Sequence, residues 1–138
     1  MCTKRIVRVN ERGTAVIEMI FAVALFMLLV FGALELARAA ALKHAIGVGA
    51  WQGSRYLSLN PWDEATAEAL ARQEIAGSIM GGDPAQAVIS LSFSDPGRGF
   101  GTAVSVRVEM PYQALVPLMN LAPRALYAES ILLVEAWP

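Results

Sequence analysis

Three residues near the N-terminus have types and spacing suited to chemistry: Gly13, Thr14 and Glu18. Glu18 is the only ionisable residue between Thr14 and Leu34, and a carboxylate inside a membrane costs about 2.5–3.5 kcal/mol at the midplane. Cleavage of the Gly13–Thr14 bond would make the amine of Thr14 a new ammonium group. Glu18 of a neighbouring copy could pair with it, which removes the isolated charge and sets the axial register of packed helices. The structural alternative, stabilisation of Glu18 by the helix dipole, is worth only ~0.3–1 kcal/mol and does not offset burial in hydrocarbon.

The segment that carries these residues is predicted to cross a membrane. No charged side chain occurs in residues 19–34, and a helix over residues 14–34 would be about 31 Å long, enough for the hydrocarbon core of a bilayer. Four Lys or Arg residues precede the run, against Arg38 and Lys43 close behind it. This bias predicts a cytoplasmic N-terminus and an extracytoplasmic body.

The chain is therefore predicted to have three parts: a cleavable basic leader over residues 1–13, a transmembrane helix over 14–34 and an extracytoplasmic α+β domain over 35–138. A secretory signal is the competing interpretation, because Ala37-Arg38-Ala39 resembles a small-x-small cleavage site. The apolar run is longer than a usual signal core and is bounded by Glu18 and Glu35, which favours the anchor.

Hydrophobic periodicity predicts two helices. Small and apolar residues recur at three- and four-residue steps beyond the apolar run, so one helix is predicted over residues 14–57, with its second half amphipathic. A kink or an early end near Gly47 is the alternative, because each glycine weakens a helix by ~1 kcal/mol. The same small residues would let another backbone approach closely. A second helix is predicted over residues 61–80, with Asn60 as its cap.

The C-terminal third changes to a period of two residues, which is typical of half-buried strands. Apolar residues alternate with polar ones over Ile89–Phe93 and again over Val104–Met110, where Pro111 ends the strand or places it at an edge. A third strand is predicted from Leu126 to Trp137. The result is a three-stranded antiparallel sheet, for which the amphipathic half of the first helix is the natural cover.

The residue inventory is poor in catalytic groups. His44 is the single histidine and has no acidic partner in sequence, so it is interpreted as a surface or packing residue. No Cys/His cluster with metal-ligand spacing, glycine-rich phosphate loop or basic nucleic-acid patch is present. Trp51, Trp62 and Trp137 are interpreted as core or contact residues rather than a sugar platform. We expect no enzymatic activity, no metal or other cofactor, no small-molecule substrate and no nucleic-acid partner.

The basic leader, the Arg12–Glu18 segment and the apolar helix resemble the class III signal segments of type IV prepilins. More specifically, the chain is similar to TadE-like minor pilins, or pseudopilins, of the tight-adherence (Flp-type) type IVb pilus system. The stretches that carry the likeness are residues 12–18 (RGTAVIE), 31–39 (FGALELARA), 53–56 (GSRY), 104–118 and a final strand with Glu135 near its end. Met19 stands where the major Flp pilin typically has tyrosine, and this chain is far longer, so the major-pilin interpretation is rejected.

The resemblance implies a pilin-like fold and a single-pass protein of the bacterial inner membrane that a prepilin peptidase cuts after Gly13. Thr14 would become the N-terminus and Glu18 the assembly acid. The implied partners are other minor pilins, the major Flp-type pilin and the pilus assembly machinery, with incorporation into the fibre or a place at its base left open. The alternative function is an uncleaved, membrane-anchored extracytoplasmic binding or adhesion module, and a secreted enzyme is the third.

Overall fold

The protein has an α+β fold built from two helices and one three-stranded sheet, as the sequence predicts. A computed structural model describes residues 11–78, 82–114 and 125–136. The elements are α1 (Glu11–Leu59), α2 (Glu64–Gly77), a 3₁₀ turn (Pro84–Gln86), β1 (Val88–Phe93), β2 (Ala103–Pro111) and β3 (Ala125–Leu133). The chain divides into two compact units, Met1–Leu34 and Glu35–Pro138.

Helix α1 continues without interruption from Glu11 to Leu59. The predicted continuous helix is therefore confirmed, and the alternative of an early end near Gly47 is wrong. Within the first unit, every described side chain from Thr14 to Leu34 other than Gly32 is exposed to solvent. An apolar helix with no buried side lacks the hydrophobic stripe of a soluble amphipathic helix.

The second unit contains the sheet, which has the order β1-β2-β3 with antiparallel neighbours. The alternation predicted from sequence sets its faces: Val104, Val106 and Val108 of the central strand are completely buried. Ile89, Leu91 and Phe93 of β1 lie partly buried against the same core. The three-stranded antiparallel sheet is confirmed, and Pro111 ends β2 as expected.

The amphipathic half of α1 covers the inner face of the sheet. Its buried residues Leu42, Ile46 and Leu57 belong to the same apolar cluster as the valines of β2. A polar contact crosses this layer as well, because the fully buried hydroxyl of Ser54 lies 2.7 Å from that of Ser130 on β3.

Helices α1 and α2 approach closely at the glycines of α1. A Cβ atom on Gly49 would lie 2.9 Å from the carbonyl oxygen of Ala71, and one on Gly53 would lie 3.4 Å from that of Ala67. The predicted close approach of another backbone is therefore confirmed at these two positions. Gly47 faces open space and takes no part in it.

The ends of two elements differ from the prediction. Helix α2 begins at Glu64 rather than at residue 61, because the Asp63 side chain caps it by accepting from the backbone N–H of Thr66 at 3.2 Å. Asn60 instead opens a turn, since its carbonyl oxygen accepts from the N–H of Asp63. The helix ends at Gly77, and strand β3 ends at Leu133. The predicted ends at residues 80 and 137, and the resemblance stretch over 115–118, lie outside the described residues.

Candidate processing and assembly site

The three residues singled out from sequence all lie in the first turns of α1. Thr14 and Glu18 are four residues apart, which places them on one side of the helix about 6 Å apart along its axis. Both side chains are exposed, and Gly13 adds no side chain beside them. The structure therefore brings the bond predicted to be cut and the predicted assembly acid to one stretch of exposed helix surface.

The Gly13–Thr14 peptide bond lies within the helical range of α1. Glycine lowers helix stability by ~1 kcal/mol relative to alanine. Unwinding the turn that contains Gly13, to present an extended bond to a protease, therefore costs less than unwinding a turn that has alanine at this position.

Glu18 is surrounded along the helix by exposed apolar side chains such as Ile17, Met19 and Phe21. The ion pairs found among the described side chains are Arg98–Glu64 and Arg107–Glu109, and neither involves Glu18. Glu18 lies in a helix that is both long enough and apolar enough to cross a membrane. The apolar part of this helix is not buried within the protein. In hydrocarbon, an unpaired carboxylate is energetically costly.

A second cluster of ionisable groups lies at the start of the second unit and was not foreseen from sequence. Glu35 is 7% exposed, and its carboxylate accepts a hydrogen bond from the hydroxyl of Tyr112, which is 6% exposed. The same hydroxyl lies 3.2 Å from the backbone carbonyl oxygen of Glu35. Arg38, one turn on, places its guanidinium 5.8 Å from the centre of the Tyr112 ring and donates to the carbonyl oxygen of Gln113 at 3.1 Å.

This cluster ties α1 to the segment that follows β2. Burial and the adjacent Glu35 carboxylate raise the pKa of Tyr112 to about 12, because both disfavour the phenolate. Tyr112 therefore stays protonated and donates to Glu35 across the physiological pH range. In the sequence, the only indication of this cluster is that Tyr112 follows Pro111, the proline that ends β2.

The remaining predicted residues are dispersed. His44 is exposed on α1, in agreement with its interpretation as a surface residue. Trp51 and Trp62 are 47% and 70% exposed, so neither is a core residue, and Trp137 lies outside the described residues. Among the residues that the structure describes, no group of three or more His, Cys, Asp or Glu side chains could hold a metal ion.

Comparison of the chain with protein-family models, with curated proteins and with solved structures finds no match. The class of protein is therefore defined by the fold and by the site. Within the described residues, it is a small α+β domain preceded in sequence by one apolar helix that is compatible with a membrane anchor.

Proposed function

We propose that this protein is a TadE-like minor pilin, or pseudopilin, that supports assembly of a tight-adherence (Flp-type) type IV pilus after a prepilin peptidase cuts its leader at Gly13. In this proposal Thr14 becomes the N-terminus of the processed chain and Glu18 acts as the assembly acid. The protein is held in the bacterial inner membrane by residues 14–34, with the leader cytoplasmic and the α+β domain extracytoplasmic. Its partners are the peptidase, other minor pilins, the major Flp-type pilin and the assembly machinery.

The observation that carries the proposal is the position of Glu18 near the start of the apolar, exposed part of α1. The first turns of α1 hold the bond predicted to be cut and a carboxylate surrounded by apolar side chains. A lone carboxylate is costly in hydrocarbon, and cleavage after Gly13 creates an ammonium of opposite charge at nearly the same depth. Pairing between copies would make assembly itself the event that neutralises the acid.

The continuity of α1 gives further support. The same helix that holds the apolar segment continues into the second unit, where its buried face covers the antiparallel sheet. A subunit built in this way can carry an exposed apolar helix for packing against other helices while its domain stays folded around its own core. Neither a catalytic centre nor a cofactor is required for that role.

Mass spectrometry of the mature protein, from cells with and without the prepilin peptidase, tests the cleavage. We expect an N-terminus at Thr14 that reverts to Met1 when the peptidase is absent. Met1 in both strains would indicate the uncleaved, anchored binding module instead. An N-terminus near Ala40 would indicate a secreted protein and would also contradict the membrane anchor.

The substitution Glu18→Ala tests the assembly role separately from processing. We expect the variant to be inserted and cleaved normally but to support few pili, because the ammonium of Thr14 loses its partner. Glu109→Ala is the control, since it removes an exposed acid from the outer face of the sheet, and it should leave pilus number unchanged. Normal pilus number in the Glu18 variant would contradict the proposed role.

A further inference from the structure

An open pocket of about 740 Å³ lies between the end of α1 and the middle of the β1–β2 connection. Its wall includes Leu59, Asn60 and Trp62 on one side and Arg98, from the β1–β2 connection, on the other. The volume is within the range of pockets that take small molecules. The pocket belongs wholly to the second unit.

Trp62 is fixed in place although it is 70% exposed. The guanidinium of Arg98 lies between two rings, 4.8 Å from the centre of the Trp62 ring and 4.1 Å from that of Phe93. Arg98 also donates to the carbonyl oxygen of Pro61 at 2.7 Å and forms an ion pair with Glu64. Arg98 therefore contacts the indole, and most of the surface of Trp62 stays exposed.

The conformation of Arg98 is unusual. Its φ angle is +47°, in the left-handed region that side chains other than glycine rarely adopt. An ion pair, a hydrogen bond and two aromatic rings hold Arg98 in this conformation. Arg98 in turn positions Trp62 before a partner binds. Pre-organisation of this kind lowers the entropy cost of binding.

The charges around the pocket favour a cation. Asp63 lines the pocket, and Asp95 holds its carboxylate against Gly97, which also lines it. Asp63 accepts from the hydroxyl of Tyr56 and the N–H of Thr66, whereas Asp95 accepts from the N–H of Gly97. These donors are neutral, so they leave both negative charges in place.

Arg98, the cation of the pocket wall, already pairs with Glu64. An exposed indole near two carboxylates whose hydrogen-bond donors are neutral attracts a guanidinium or ammonium through cation–π and charge interactions. We propose that the Trp62 pocket is a docking site for an arginine or lysine side chain on an extended segment of a partner protein. The inference stands on the second unit alone, so it holds whether or not the leader is cleaved.

The full-length chain labelled with 5-fluorotryptophan, in a maltoside detergent without cationic headgroups, allows a direct test by ¹⁹F NMR. The probe is the peptide acetyl-Gly-Arg-Gly-amide, and the matched apolar probe carries norleucine in place of arginine. We expect the arginine peptide to shift the Trp62 resonance in a saturable way that weakens as NaCl is raised. The resonance of Trp51, whose ring already faces Arg55 at 5.7 Å, is the internal control and should not move.

Two sets of variants separate the contributions of ring and charge. Trp62→Leu should weaken arginine-peptide binding about two- to thirtyfold, measured by peptide NMR line broadening, whereas Trp51→Leu should not change it. The double variant Asp63→Asn, Asp95→Asn keeps side-chain acceptors for the backbone N–H groups but removes both charges. It should weaken binding and abolish most of the salt dependence.

Three outcomes would overturn the proposal. Equal shifts with the norleucine peptide would indicate an unselective apolar surface. A shift with phosphocholine but none with the arginine peptide would assign the pocket to a lipid headgroup. Binding that survives both the Trp62 and the aspartate substitutions would place the cation elsewhere on the protein. A normal circular dichroism spectrum for each variant shows that loss of binding is not loss of fold.

Discussion

The hydrogen bond from Tyr112 to Glu35 should contribute measurably to the stability of the domain. Tyr112→Phe removes the hydroxyl but keeps the buried ring, so packing is preserved and one donor to a buried carboxylate is lost. Hydrogen bonds to charged groups contribute about 1.5–3 kcal/mol. We expect the free energy of unfolding at pH 7–8 to fall by about that amount.

The same pair predicts how stability depends on pH. The pKa of Tyr112 is raised from 10.0 in the unfolded chain to about 12 in the folded protein. The folded state therefore holds its phenolic proton more tightly, and this contribution is fully present below pH 10 and lost as the pH rises from 10 towards 12. A pKa difference of about two, at about 1.36 kcal/mol per unit, corresponds to ~2–3 kcal/mol.

Denaturant unfolding of the full chain in detergent micelles, followed by tryptophan fluorescence between pH 7 and 11.5, measures both effects. The wild type should lose stability more steeply above pH 10 than Tyr112→Phe, so the difference between them should shrink as the pH rises. Tyr127→Phe is the matched control, because Tyr127 is exposed on the outer face of the sheet, and it should change stability by less than about 0.5 kcal/mol. Equal stability of wild type and Tyr112→Phe at pH 7, or parallel curves above pH 10, would refute the reasoning.

The close helix contact and the β1–β2 connection give two further predictions for the same unfolding assay. Gly49→Ala should destabilise the domain by about 1–3 kcal/mol, because its Cβ would lie 2.9 Å from the carbonyl oxygen of Ala71. The control Gly47→Ala, in open space, should stabilise the domain by up to ~1 kcal/mol. Similar changes in stability for the two variants would contradict the close contact. Arg98→Ala should cost about 1–3 kcal/mol through loss of its bonds to Pro61 and Glu64, whereas Arg98→Gly should cost less because glycine adopts the positive φ angle without strain.

Local patterns in the sequence were sufficient to predict the two helices and the three strands. Strict alternation around Val104–Val108 predicts both a strand and its buried face, because successive side chains of a strand point to opposite sides. Three- and four-residue spacing likewise identified the face of α1 that covers the sheet. The start of α2 was less well predicted, because Asn60 and Asp63 are both good caps and only the backbone of the folded turn decides between them.

The contacts between distant segments were decided by the tertiary structure. From sequence, Glu35 is identified only as the acid that bounds the apolar run, whereas in the fold it is buried against a tyrosine 77 residues away. The position of Arg98 against the exposed ring of Trp62 likewise joins residues 36 apart in the chain, which no local pattern reports. Gly49 differs from Gly47 only in what packs against it.

By itself, the sequence determined where the chain is apolar, where it is charged and which period each segment follows. From these came the exposed apolar helix with Glu18, the α+β fold and the buried faces of β1, β2 and the second half of α1, because hydrophobic burial follows local periodicity. Only the tertiary structure decided which polar groups meet across the fold, since a hydrogen bond or ion pair requires its partner within about 3–4 Å. That distance is set by how whole helices and strands pack together. It cannot be predicted from the local sequence around either of the two polar groups.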